Sequence, residues 1–209
     1  MTPAAQVFSA SEILQEILNG KRVDLLLKQW GKSNRYAGSK DRHAIRDFVY
    51  NGLRNKRSAL SKIKAPQSGR NWAIGVLIEA NKDLNKYFND EAYSSSSLTI
   101  EEKQAIQKAT ESTKSPDVEL NVPAFLWPIW NADLGAEAEK IAKNLCERAP
   151  AFLRVNLQRI CIPKVQDILL EDNIHTEQHP SVQTALIITS GQNKICLLYT
   201  SPSPRDLRK

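Results

Sequence analysis

The sequence predicts a mainly α protein: a helical bundle over residues 1–115, followed by the start of a small α/β (β-α-β) module over residues 116–195. Three observations carry this. Apolar residues recur at i, i+3, i+4 spacing through the first 113 residues. The texture then changes to "KSPDVELNVPAFLWPIWNADLG", which holds two of the four tryptophans and three prolines. Beyond residue 150, two runs with strand character flank a helical pattern.

Residues 3–19 form the first expected helix, with Ala10, Ile13, Leu14, Ile17 and Leu18 on its apolar face and Gly20 placed to end it. "VDLLLKQWG" (23–31) reads as a short second helix, in which Trp30 is a core anchor rather than a stacking platform. "YAGSKDRHAIRDFVYNGLRNKRSAL" (36–60) reads as a third. Ser39 is its candidate N-cap, and Ala44, Ile45, Phe48, Val49 and Leu53 form its stripe. "RNWAIGVLIEAN" supplies a fourth helix, with Trp72, Val76 and Leu77 facing inward. In the fifth, Thr99 and Glu102 have the spacing of a capping box. Residues 1–113 are therefore expected to fold as an independent helical unit. The Pro-Trp stretch is expected to be a loop packed against something, because long apolar loops are uncommon unless they cover a surface.

A helix follows at 135–148. "APAFLRVNLQRI" is then expected as a strand, with Phe152, Arg154, Asn156 and Gln158 on one side and Leu153, Val155 and Leu157 on the other. Pro163 sits near the start of the next helix, where its missing N–H costs little. "ALIITS" is a second strand by its β-branched content, and the sequence shows no set of strands to close the sheet.

Composition narrows the function classes. Hydrophobic content of 41% and charged content of 25% are those of an ordinary globular protein. The three cysteines lie far apart, which suggests neither a metal site nor a disulfide framework and fits a reducing, cytoplasmic setting. No signal peptide is evident, and no apolar run reaches the ~20 residues of a membrane helix. The net charge of +6 conceals a segregation: residues 21–70 hold fourteen Lys or Arg against three Asp, a window charge of +11, so the remainder carries −5. A basic segment of this kind is the footprint of an anionic partner. The bland alternatives are a solvated basic surface or a surface for acidic proteins.

The residues of the basic segment also resemble a known family. "GSKDR" followed by a helix ending in "LRNKR" is similar to the N-terminal NusB-like domain of RsmB-type RNA (cytosine-5) methyltransferases. "WPIWNADLGAEAEKIAKNLCERAPAFLRVN" resembles the segment that follows it in that family. The resemblance covers roughly residues 5–195. It implies a NusB-like RNA-binding bundle, a small α/β RNA-binding segment, ribosomal RNA as partner, and a monomer. It also implies a catalytic domain that binds S-adenosylmethionine and carries its nucleophilic cysteine in a Pro-Cys dipeptide.

That last part has no counterpart here. The chain has no Pro-Cys, and its only glycine after Gly135 is Gly191. Cys146, Cys161 and Cys196 are expected to be structural, and no cofactor or metal is expected in this chain. "CLLYTSPSPRDLRK" (196–209) fits neither the preceding strand nor the family. It resembles translated adapter read-through, so a truncation before the catalytic domain and a non-native tail are expected; a disordered native tail is the rival.

The expected RNA contacts are Lys40, Arg42, Arg46, Arg54, Lys56, Arg57, Lys62 and Lys64. Some of these should pair instead with acids such as Asp41 or Asp47. Arg154 and Asn156 share an expected strand face and are further candidates, with a structural pair as the equal alternative. The alternative function is a stand-alone NusB-like RNA-binding transcription or ribosome-assembly factor, for which residues 116–195 would be superfluous.

Overall fold

A computed structural model of the chain describes residues 1–191. The tail from Cys196, expected to be non-native or disordered, lies outside the described residues. The chain divides into two compact units, Met1–Arg148 and a second beginning at Ala149. The first is helical and the second holds a small sheet.

The first unit begins with α1 (Pro3–Leu18), capped by the Thr2 hydroxyl, which accepts from the Ala5 N–H at 3.2 Å. Gly20 ends it in the left-handed region at φ +88, with the Lys21 N–H donating back to the Glu16 carbonyl. Helices α2 (Val23–Ser33) and α3 (Ser39–Arg54) follow. The basic segment is not one continuous helix. It breaks at Asn55 and resumes as α4 (Lys56–Ser61). The N-cap of α3 is Gly38 rather than the expected Ser39, because Asp41 reaches back to accept from the Gly38 N–H at 3.1 Å. The buried stripe of α3 is Ile45, Val49 and Gly52; Ala44, expected inside, is exposed.

Helix α5 (Gly69–Glu79) runs through the middle of the unit and buries Trp72, Ala73, Ile74, Val76 and Leu77. The Trp72 indole N–H donates to the Gly52 carbonyl at 3.1 Å, which satisfies the one polar atom of the ring inside the core. Gly75 lets α4 approach: a Cβ there would stand 1.9 Å from the Ala59 carbonyl oxygen. Helix α6 (Ile100–Thr110) starts with the expected capping box, Thr99 and Glu102 each accepting from the other's backbone N–H. Arg70 then grips both oxygens of Glu102, at 2.6 and 3.0 Å.

The Pro-Trp stretch is partly helical. It contains α7 (Pro116–Glu119) and α8 (Trp127–Leu134), and α9 (Ala138–Cys146) follows. These helices build a second small core from Leu120, Val122 and Ala142, with Leu126, Trp127 and Trp130 against it. The stretch is also tied to α4. Arg57 pairs with Asp117, and the Asn121 side-chain oxygen accepts from the Ser58 N–H at 3.0 Å. The first unit thus runs to Arg148, past the boundary expected near residue 115.

In the second unit, β1 (Ala151–Arg154), α10 (Ile162–Glu171), β2 (His175–Gln178) and β3 (Ala185–Ser190) form a three-stranded sheet in the order β1-β3-β2. Both pairings with β3 are antiparallel, so β1 and β2 run parallel on either side of it. This is a split β-α-β arrangement. Strand β2 was not expected: "HTEQ" has one β-branched residue and three polar ones, so its sequence carries little strand signal. The first expected strand is shorter than its alternation implied. It ends at Arg154, and Asn156 leads a turn in which its side-chain oxygen accepts from the Gln158 N–H at 3.1 Å. Leu157 is consequently exposed rather than inward. Val155, Leu169, Ile174, Leu186 and Ile188 make the core of this unit.

Adding one methyl group at the closest helix crossing tests the packing. Gly75→Ala should destabilise the chain by at least about 2 kcal/mol, since the clash is with backbone and cannot be relieved by a rotamer. Thermal or denaturant unfolding reads this; a loss below about 0.5 kcal/mol would contradict the crossing.

Candidate nucleic-acid interface

The basic residues separate into two groups once their partners are known. The first turns inward. Arg54 Nε donates to the Cys146 carbonyl at 3.2 Å, and Arg57 pairs with Asp117. Lys56 places its ammonium 5.1 Å from the Trp72 ring centroid, a cation–π contact. Lys62 lies in the field of Glu79 and Lys114. Burial, and then the charge of Lys62, pushes the Lys114 ammonium pKa down. Lys64, past the end of α4, is exposed and belongs to neither group.

The second group borders a groove of about 720 Å³ between α2 and α3. Lys28 and Lys32, one helical turn apart on α2, line one side, and Arg42, Arg46 and His43 on α3 line the other. Trp30 and Ile45 form part of its floor, and no Asp or Glu is among the lining residues. Arg42 is held in place: its Nε donates to the Ala37 carbonyl at 2.9 Å. The helices are close there, since a Cβ on Gly31 would stand 3.7 Å from Arg42 Nη1. Lys28, Lys32 and Arg42 form no ion pair among the described residues. Arg46 stands 3.7 Å from Asp47, which also receives Arg148 at 3.3 Å. Lys40 is exposed in the first turn of α3, outside the groove lining.

Two further nearby acids, Asp41 and Asp24, are engaged by other partners. Hydrogen bonds from Gln6, the chain's amino terminus and the Gly38 N–H hold the Asp41 carboxyl below its ordinary pKa. Asp24 accepts from the Tyr50 hydroxyl at 2.8 Å, which raises the pKa of that phenol.

Of the residues expected from sequence, the structure therefore gathers Arg42 and Arg46 in one groove, with Lys40 outside its lining. It gives Arg54, Lys56 and Arg57 intramolecular partners, and it puts Arg154 and Asn156 in the second unit. Arg154 is exposed on β1, and Asn156 does not share its strand face. Lys28 and Lys32 were missed as site residues, although their i, i+4 spacing opposite the Leu26–Leu27 side of α2 was a readable signal. Cys146 is half-buried, its thiol pKa raised by burial, and Cys161 is exposed. Among the described residues no cluster of His, Cys, Asp or Glu could hold a metal ion, and no helix is long and apolar enough to cross a membrane.

Comparisons with known proteins bear mainly on the C-terminal half. Residues 122–194 match the family described as the ferredoxin-like domain of RsmF/RsmB-like methyltransferases. The match starts inside the first unit, at Val122 of the small core, and runs through the sheet of the second. No curated protein sequence matches the chain significantly. Among solved structures, "Crystal Structure of PH0851" aligns at 12% identity with a TM-score of 0.49, covering 91% of this chain and 49% of that one. The chain thus spans about half the length of that protein.

The inward group predicts a separation of roles. Arg57→Gln should lower stability by roughly 1–2 kcal/mol, because it leaves the largely buried Asp117 carboxylate without its charged partner. It should leave the salt dependence of any polyanion binding at the α2–α3 groove unchanged. Unfolding and binding titrations on the same variant check both halves; a flatter salt dependence with unchanged stability would place Arg57 in the interface.

Proposed function

We propose that this chain is the RNA-binding N-terminal region of an S-adenosylmethionine-dependent ribosomal RNA (cytosine-5) methyltransferase, with a NusB-like helical unit, acting as a monomer in the cytoplasm. The observation that carries the reading is the match of residues 122–194 to the ferredoxin-like domain of RsmF/RsmB-like methyltransferases. The β1-α10-β2-β3 order with its split β-α-β geometry agrees with a domain of that name. The alternative, a stand-alone NusB-like transcription or ribosome-assembly factor, is not favoured, since it leaves that segment without a purpose.

We assign the methyl-donor site to none of the described residues. Strand β1 runs into the turn at 155–160, which holds no glycine, and β3 ends at Ser190. A donor site of this kind needs a glycine-rich turn between strand and helix. The part that falls to these residues is to hold RNA. Phosphates entering the α2–α3 groove displace condensed counterions, and Arg42, its Nε held by the Ala37 carbonyl, offers its two terminal nitrogens as a forked pair of donors. A helix cannot enter the deep, narrow major groove of A-form RNA, so contact here is with backbone and shape.

Replacing the groove cations Lys28, Lys32 and Arg42, together with Lys40 beside the groove at the start of α3, with Gln tests this. Each lost phosphate contact removes about one unit from the slope of log K against log salt, so the slope should flatten by roughly two to four units. Gln keeps helix propensity near that of Lys and Arg. A control with Lys82, Lys86, Lys103 and Lys108 replaced removes the same charge elsewhere. Equal weakening in both variants would show a net-charge effect and contradict the groove.

A further inference from the structure

A second hollow of the first unit adjoins the basic groove. It measures about 650 Å³, within the range of sites that take small ligands. Phe8, Trp30, Tyr36 and Tyr93 line it, with Glu12 and Asn34 among its polar groups. Trp30 is common to both hollows, so the aromatic site and the cationic site share a wall. The rings come from separate parts of the chain: α1, α2, the loop before α3, and the loop before α6.

Two of these rings are not there for packing. Tyr36 is 72% exposed and Tyr93 is 84% exposed. Tyr93 also sits at φ +66, a backbone region that a bulky residue seldom adopts. Trp30 is half-buried and packs against the main core, which fixes its ring as a rigid wall. The sequence had suggested only that anchoring role for it; the hollow gives it a second face.

The polar groups match the edge of a base rather than a phosphate. The Asn34 amide nitrogen donates to the Trp30 carbonyl at 2.9 Å, which leaves its side-chain oxygen to accept. Glu12 is a second acceptor, and partial burial raises its pKa. Two acceptors among aromatic rings suit the exocyclic amino groups and ring N–H of a nucleobase, and the Met1 ammonium that also borders the hollow is already paired with Asp41 at 3.2 Å. The charged backbone then belongs on the other side of Trp30, among Lys28, Lys32 and Arg42.

We infer that this aromatic hollow takes an unpaired nucleobase of the RNA whose phosphates lie in the adjacent α2–α3 groove. This rests on the RNA-binding reading above and specifies its ligand as single-stranded or looped RNA. Base–aromatic stacking tolerates any base because every base has a π-face, and sequence-specific or single-strand recognition of RNA uses such platforms.

The test uses the full chain and two probes matched in phosphate number: an unstructured single-stranded RNA and a blunt-ended, loop-free RNA duplex. The double variant Tyr36→Ala/Tyr93→Ala removes only exposed rings, so the fold should persist. It should weaken binding of the single strand by about fivefold or more, the loss expected for one stacked base. Duplex binding should change by less than about twofold, and the salt slope should not change. Tyr36→Phe/Tyr93→Phe should restore single-strand binding, since stacking needs the ring and not the hydroxyl. If the Ala variant leaves single-strand binding intact, or weakens both probes equally, the inference is overturned. The groove reading survives that result provided the Lys28, Lys32, Lys40 and Arg42 to Gln variant still weakens both probes. If that quadruple variant binds both as the parent chain does, the groove reading falls and this inference with it.

Discussion

Helix α5 is buried along nearly its whole length, and the first unit is arranged around that constraint. A helix this apolar must be surrounded, and α1, α3 and α4 surround it. The approach is close enough that Gly69 and Gly75 have no room for a side chain: added Cβ atoms would meet the Ser11 carbonyl at 2.1 Å and the Ala59 carbonyl at 1.9 Å. The Trp72 indole reaches across to the Gly52 carbonyl and fixes the rotation of α3 about its own axis. With Ile45, Val49 and Gly52 pinned inward, the arginines of α3 have only the remaining faces to occupy. The site follows from the core in this sense: Arg42 and Arg46 border α2 because the adjoining face of α3 is committed to α1 and α5.

The same constraint sorts the charges. Cations near the α3–α4 break are within reach of the 116–148 stretch and are absorbed by it: Arg57 by Asp117, Arg54 by the Cys146 carbonyl. Among the described residues Lys28, Lys32 and Arg42 form no ion pair, and they line the groove. Charge density along the sequence is nearly even across this window. What differs is the long-range partner, and that difference divides a uniform basic segment into a structural half and an exposed half.

This division marks how far the sequence could be read. The helices of the first unit were legible, because their stripes are set by local periodicity, and the Thr99–Glu102 cap was legible from spacing alone. The break at Asn55 was not, since the pattern continues through it and only the close packing against α5 exposes it. The pairing of Arg57 with Asp117 spans sixty residues and leaves no local trace. Strand β2 escaped notice because its residues are polar, and its strand state comes from the pairing that β3 offers. Asn156 was assigned to a strand face by alternation, whereas its own side chain turns the backbone there. Lys28 and Lys32 were visible as charges, but only the placement of α2 beside α3 makes them part of a site.

The central claim is that RNA lies along the α2–α3 face of the helical unit. Photochemical crosslinking of a bound RNA to the full chain, followed by mass spectrometry of the adducts, tests it most directly. The account predicts adducts concentrated in peptides spanning residues 23–46, with further adducts at Tyr36 or Tyr93 when the RNA is single-stranded. Adducts confined to residues 149–191, or spread evenly over the basic residues including Arg54 and Arg57, would contradict it.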